Sequence, residues 1–156
     1  MYRMVNGNEL LYQQIPNTGD DLKTGQMLAE AIVKGKFPDR KLYLPHVPKK
    51  FKKIIKKCIE PDPNDRYDNT LQIINELASI DENLDIRYGR DASCEFWEAP
   101  KNGYMYKVCL NSKADKFDIK VYKTKDGKTT NCTSQCSNNI DKTQVISKLE
   151  TIFASL

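Results

Sequence analysis

The chain has few of the residues from which most enzyme sites are built. Its 156 residues include a single histidine, His46, and seven scattered glycines. Phosphate-binding loops of the Walker and dinucleotide types need glycines clustered before a helix, so the sequence contains neither. His46 lies between Pro45 and Val47, outside any recognisable signature with a cysteine or serine, and we interpret it as a structural turn residue. The sequence therefore offers no evident acid–base catalyst.

Long apolar runs and paired cysteines are also lacking. No run approaches the roughly 20 residues of a membrane-spanning helix, and residues 1–11 lack the basic start and apolar core of a signal peptide. The five cysteines are odd in number, which favours reduced thiols over a disulfide framework. Cys132 and Cys136 lie four apart, but without a second pair they predict no zinc site. We therefore expect a cytoplasmic chain with no membrane partner.

Basic residues are concentrated in one stretch, although the net charge is only +4. Between residues 34 and 57 there are ten basic residues and one acidic residue, Asp39. An apolar stripe at helical spacing is formed by Phe51, Ile54, Ile55, Cys58 and Ile59. The opposite face of that helix carries Lys49, Lys52, Lys53, Lys56 and Lys57. This basic face is either a solvated helix surface or a docking site for an acidic partner or nucleic acid.

The periodicity of apolar residues changes near residue 83, which predicts two domains, 1–83 and 84–156. The first domain is predicted to be helical, with helices at about 22–34, after Pro48, and at 70–80 behind a cap at Asp68 or Asn69. The apolar face of the helix at 22–34 is formed by Met27, Leu28, Ala31 and Ile32.

The second domain is predicted to be a small antiparallel β-meander with a C-terminal helix. Alternation predicts strands at 84–88, 104–110 and 117–121, and Asn102-Gly103 and Asp126-Gly127 supply the positive φ of tight turns. Asp141 and Gln144 resemble a capping box. The apolar stripe of the last helix is Val145, Ile146, Leu149, Ile152, Phe153 and Leu156. The predicted fold class is therefore α+β.

Several motifs occur in a fixed order in residues 1–80. They are the opening Met1–Gly7, then Lys34-Gly35-Lys36-Phe37-Pro38, then Pro45-His46-Val47-Pro48 before the amphipathic stripe, and then Asp62-Pro63-Asn64-Asp65-Arg66. In this order they resemble the C-terminal lobe of eukaryotic-type protein serine/threonine kinases. They match the end of its central helix, its I-x-x-G-x-F-P helix end and its D-P-x-x-R turn. The resemblance covers about half of the chain and implies a helical remnant of that lobe followed by an accessory domain.

The resemblance also implies that the ATP-binding and catalytic motifs of a kinase are missing from this sequence. The glycine-rich loop, the strand lysine, the H-R-D loop and the D-F-G aspartate of kinases are not in the sequence. We therefore expect no catalytic, cofactor or metal residue here, with ATP and Mg²⁺ bound only by a full-length kinase. In such kinases the arginine matched by Arg66 pairs with a glutamate of the activation segment. Without it, Arg66 should turn to solvent or pair with Asp62 or Asp65.

Two hypotheses follow. The first is a kinase C-terminal fragment, inactive alone, with an interaction or regulatory domain. Its partner would be a protein or the missing kinase segments, and apolar helix faces left uncovered would also allow oligomers. The second is a non-catalytic module that binds a protein or nucleic acid through the basic helix face and the C-terminal sheet.

Nucleic acid is the less favoured partner. The order of elements at residues 70–155 resembles a double-stranded-RNA-binding domain, but the last helix begins with one lysine, Lys142, where that domain has several basic residues. Phe96, Trp97, Tyr104 and Tyr106 have faces on which bases can stack, but aromatic residues at strand spacing more often form core or cross-strand pairs.

Overall fold

The computed structural model describes residues 1–82 and 85–156, in two compact units, Met1–Asp81 and Glu82–Leu156. Helices form the first unit, and an antiparallel sheet with a C-terminal helix forms the second, which confirms the predicted α+β class. Leu84 and the predicted boundary at residue 83 lie outside the described residues. Every helix within the described ranges is too short or too polar to cross a bilayer.

The helical unit contains four helices among its described residues: α1 (Tyr2–Tyr12), α2 (Asp21–Val33), α3 (Lys49–Cys58) and α4 (Thr70–Ala78). Gly7, with φ at 76°, interrupts α1. The Asp20 carboxylate caps α2 by accepting from two backbone N–H groups, and Gly35 follows α2 with φ at 64°. Asn69 caps α4, which settles the choice between Asp68 and Asn69.

The core of the helical unit lies under α3. Ile54 and Ile55 are buried, as the apolar stripe predicts, and Ile55 packs in a cluster with Tyr2, Tyr43 and Val47. The Tyr2 hydroxyl donates to the Leu42 carbonyl at 2.8 Å. The apolar face of α2 is uncovered, since the helix buries no residue and both Met27 and Ile32 of that face are exposed.

The sheet unit is formed by β1 (Arg87–Arg90), β2 (Glu95–Lys101), β3 (Tyr104–Lys113), β4 (Lys116–Lys125), β5 (Lys128–Asn131), β6 (Ser137–Asp141) and helix α5 (Lys142–Ser155). Strands β1 to β5 are neighbours in chain order, and β6 pairs with β4. Both β5 and β6 share one edge of β4, since β5 pairs with residues 122–125 and β6 with residues 116–119. The two predicted turns are confirmed, with φ positive at Asn102, Gly103, Asp126 and Gly127.

The core of the sheet unit lies between the sheet and α5. Its buried residues are Trp97, Ala99, Val108, Ile119, Val121, Val145, Leu149, Ile152 and Leu156. Ile146 belongs to the predicted stripe but is exposed. The predicted capping box is also wrong. Asp141 makes no side-chain cap hydrogen bond, and its carboxylate instead accepts from Lys116 Nζ at 2.6 Å.

Asp118 departs from the predicted alternation of β4. The pairing of β4 with β6 shifts between Phe117 and Ile119, and Asp118 is buried there although the alternation predicts an exposed residue. Its carboxylate accepts from the backbone N–H of Asn139 at 2.8 Å and lies 2.5 Å from Lys113 Nζ. Both bonds lower the pKa of Asp118, and the bond from Lys113 has the larger effect.

Candidate functional site

The basic face of α3 is positioned by the burial of its opposite face. Ile54 and Ile55 anchor the helix in the core, so residues on the other side of the helix must face outwards. Pro48 precedes the helix in an extended conformation, with φ at −59° and ψ at 148°. Of the five predicted lysines, Lys49, Lys53, Lys56 and Lys57 are exposed and Lys52 is half-buried.

Three of these lysines line an open depression of about 450 Å³. Lys53, Lys56 and Lys57 lie on one side of it, and Glu60 and Asp65 complete the lining. Three cations and two carboxylates give this surface a mixed charge, less basic than the sequence of α3 alone indicates. Its three lysines can pair with a few spaced carboxylates of an acidic protein segment, whereas Glu60 and Asp65 would repel a continuous row of phosphates.

Aromatic rings hold two of the lysines in place. Lys57 Nζ lies 4.4 Å from the centroid of the Tyr67 ring, and Lys52 Nζ lies 5.9 Å from that of Tyr43. The Tyr67 hydroxyl donates to the Glu76 carboxylate of α4 at 2.6 Å. Burial, followed by that hydrogen bond, raises the pKa of Tyr67, so Tyr67 is neutral at physiological pH. The lysine, the tyrosine and the glutamate together connect the end of α3 to α4.

The turn at residues 62–66 is a short capped element. The Asp62 carboxylate accepts from the Asn64 backbone N–H at 2.9 Å, and Pro63 starts a 3₁₀ turn at Pro63–Asp65. Arg66 donates to the carbonyls of Glu60 at 2.6 Å and Pro61 at 3.2 Å. The side chain of Arg66 is exposed, and these bonds to the main chain take the place of an ion pair with Asp62 or Asp65.

Two contacts that the sequence does not reveal fix the chain just before this turn. Arg40 forms an ion pair with Glu60, so one carboxylate of the depression already has a cationic partner. Gly35 lies against the Pro61 ring, and a Cβ added at Gly35 would be 2.5 Å from Pro61 Cγ. Both contacts join residues 20 or more positions apart, and no local pattern predicts them.

The described residues contain little that points to catalysis. Within residues 1–82 and 85–156, no group of three or more His, Cys, Asp or Glu side chains is arranged to hold a metal ion. His46 lies in the turn before α3. Burial, followed by the charge of Lys52, lowers the pKa of His46 to about 4, so the imidazole is neutral at pH 7. All five cysteines are free thiols.

Comparison with known proteins adds no identification. No protein-family model, no curated protein and no solved structure matches the chain significantly.

Proposed function

We propose that residues 1–83 are the helical end of a protein serine/threonine kinase C-terminal lobe and that residues 84–156 form an accessory interaction or regulatory domain. The order of the motifs in residues 1–80 supports this, together with the folding of the Asp62–Arg66 motif as a capped turn between α3 and α4. In this proposal the chain has no phosphotransferase activity by itself and acts in the cytoplasm.

The exposed apolar surface of the helical unit is the observation that carries the proposal. Met27 and Ile32 of the apolar face of α2 are 42% and 51% exposed, and Leu71 of α4 is 63% exposed. Burying one such side chain gains roughly 1.5–3 kcal/mol. In a kinase lobe, helices at these positions pack on the central helix, of which only the last turns match in this sequence. The exposed faces are therefore explained if other kinase segments normally cover them.

The exposed guanidinium of Arg66 agrees with the same explanation. In the kinase family the matching arginine pairs with a glutamate that ends the activation segment. Here Arg66 is held by the carbonyls of Glu60 and Pro61, and it faces outwards. A carboxylate from the missing segment would find the guanidinium already oriented by its two bonds to the main chain.

The test has two parts. The transcript upstream of the Met1 codon should encode the H-R-D and D-F-G motifs in frame. The extended protein should then bind ATP with Mg²⁺ in a calorimetric titration, and the 156-residue chain should not. The proposal is refuted by saturable ATP binding to the 156-residue chain, or by an upstream frame without those motifs.

A second candidate function is the docking of an acidic protein segment at the depression beside α3. The exposure of Lys53, Lys56 and Lys57 around it favours this function. Reversing these three charges to glutamate should abolish the binding of a glutamate-rich model peptide. Reversing Lys23, an exposed lysine of α2, should not. Equal binding by both variants would exclude the depression as the docking site.

A further inference from the structure

One end of the sheet gathers four lysines and two tyrosines on a single face. In the register, Lys101 faces Tyr104, Tyr106 faces Lys123, and Lys125 faces Lys128. Side chains alternate along a strand, so these residues share a face with Val108 and Val121 of the core. We name this surface the Lys/Tyr strip: Lys101, Tyr104, Tyr106, Lys123, Lys125 and Lys128.

The strip is the part of the inner sheet face that lies beyond the end of α5. The last residues of α5 reach Lys101, whose Nζ donates to the Ser155 carbonyl at 2.5 Å. Beside this contact there is a depression of about 430 Å³, lined by Lys101, Tyr106 and Lys123 of the strip. Its other walls are mainly polar and include Thr130, Asn131, Thr133, Ser134 and Gln135. The part of the strip formed by Lys101, Tyr106 and Lys123 therefore borders a depression rich in hydrogen-bonding groups.

Two lysines of the strip lie against the ring of Tyr104. Lys123 Nζ and Lys125 Nζ lie 5.4 and 5.3 Å from the centroid of the Tyr104 ring. The Tyr104 and Tyr106 rings meet edge to face, with centroids 6.4 Å apart. Both tyrosines are half-buried, while Lys125 and Lys128 are exposed. No acidic residue occupies these paired positions of β2 to β5. A ligand that meets the strip would therefore encounter positive charge and aromatic surface together.

We propose that the Lys/Tyr strip binds single-stranded nucleic acid. Proteins that bind single strands combine a basic groove along the phosphates with aromatic side chains on which bases stack, and the strip supplies both. Four adjacent strands span about 14 Å at roughly 4.8 Å per strand, enough for two or three nucleotides. An acidic peptide would match the lysines but would make no use of the tyrosine rings. This inference concerns the accessory domain alone and does not depend on the kinase origin of residues 1–83.

The test is fluorescence anisotropy of a labelled 12-nucleotide oligouridine with the full chain at 50 and 200 mM KCl. Two to three phosphate contacts on a single strand predict that log K falls with log salt at a slope of about −1.5 to −2. The variant Lys125→Glu/Lys128→Glu should bind at least tenfold more weakly. Tyr104→Ala should lose roughly tenfold through stacking, and Tyr104→Phe should retain binding.

The matched control is Lys142→Glu/Lys148→Glu, which makes the same charge change at exposed positions of α5. Lys142 is also where a double-stranded-RNA-binding domain would place its basic residues. The proposal is supported if Lys125→Glu/Lys128→Glu and Tyr104→Ala both lose affinity for the oligouridine while the control variant keeps it. All variants should also have the melting temperature of the parent protein. The proposal is overturned by absence of binding at 50 mM KCl, or by equal loss in the strip and control variants. It is also overturned by full competition from a glutamate-rich peptide with no effect of Tyr104→Ala, a result that would make the strip a protein-docking surface.

Discussion

Replacing Leu149 with alanine should strongly destabilise the sheet unit. Leu149 is 1% exposed and packs from α5 into the cluster that contains Trp97, Val108 and Ile119. Leucine-to-alanine changes at such sites cost about 2–5 kcal/mol, because the transfer free energy of the lost methyl groups adds to that of the remaining cavity. We expect about 3 kcal/mol here, which for a domain of this size lowers Tm by about 12 °C or more.

Ile146→Ala is the matched control on the same helix. Ile146 lies three residues before Leu149 but is 57% exposed, so truncating it leaves no cavity. Alanine also has the higher helix propensity, and the change in unfolding free energy should stay within about 0.5 kcal/mol. Leucine and isoleucine have the same number of carbon atoms, so the main difference between the two variants is whether the truncated side chain is buried or exposed.

The natural probe for both variants is Trp97, the single tryptophan of the chain. It is 1% exposed and packs against Tyr88 and Phe153, with ring centroids 5.3 and 5.5 Å away. Its fluorescence should therefore report the loss of the core between α5 and the sheet. Urea unfolding followed by Trp97 fluorescence should show a much lower midpoint for Leu149→Ala and an unchanged midpoint for Ile146→Ala. Equal midpoints for the two variants would refute the assignment of the buried face of α5.

Three further predictions concern the helical unit. Gly35→Ala should destabilise it by about 1–2 kcal/mol, because φ is positive there and Pro61 leaves no room for a Cβ. Gly25→Ala, inside α2 and with open space around it, should stabilise the unit by about 0.5–1 kcal/mol. Shifts of the urea midpoint in the same direction for both variants would contradict this. The pKa of His46 is lowered to about 4 in the folded chain, so between pH 6.5 and 4 this histidine is protonated in the unfolded chain and neutral in the folded one. The free energy of unfolding therefore has its full value, as far as His46 is concerned, above pH 6.5 and decreases as the pH falls from 6.5 to 4. His46→Gln should flatten this pH dependence of the circular-dichroism unfolding midpoint, and an unchanged slope would argue against it. Asn69→Ala should cost about 1 kcal/mol through loss of the α4 cap, while Asn69→Asp should cost little.

The turns show where sequence patterns succeed and fail. Asn102-Gly103 and Asp126-Gly127 were predictable because these residues adopt positive φ at low cost. The turn between β3 and β4 uses Ala114 with φ at 47°, and alanine gives no turn signal. Strands β2, β5 and β6 were not predicted. The residues of β5 and β6 are mostly polar and exposed, and main-chain pairing along β4 holds these two strands in the sheet.

The apolar stripe of a helix predicts which residues are buried only where the surface packed against the helix is as wide as the stripe. The stripe of α5 includes Ile146, but the sheet covers the narrower row of Val145, Leu149, Ile152 and Leu156. For α3 the pattern and the burial agree, since Ile54 and Ile55 face the core.

The two candidate surfaces take their charge from residues that only the folded chain brings together. Glu60 and Asp65 reduce the positive charge beside α3, and that compensation appears only once the turn is folded. The Lys/Tyr strip is drawn from four strands, so its lysines are scattered in the sequence and do not form a visible basic run.

The kinase proposal requires that other kinase segments cover the exposed apolar faces of α2 and α4. Amide hydrogen exchange tests this claim most directly, by comparing the 156-residue chain with the protein extended through the upstream reading frame. We expect the amides of Asp21–Val33 and Thr70–Ala78 to exchange at least tenfold more slowly in the extended protein, while those of β3 and β4 keep their rates. Identical exchange of α2 and α4 in both proteins would contradict it.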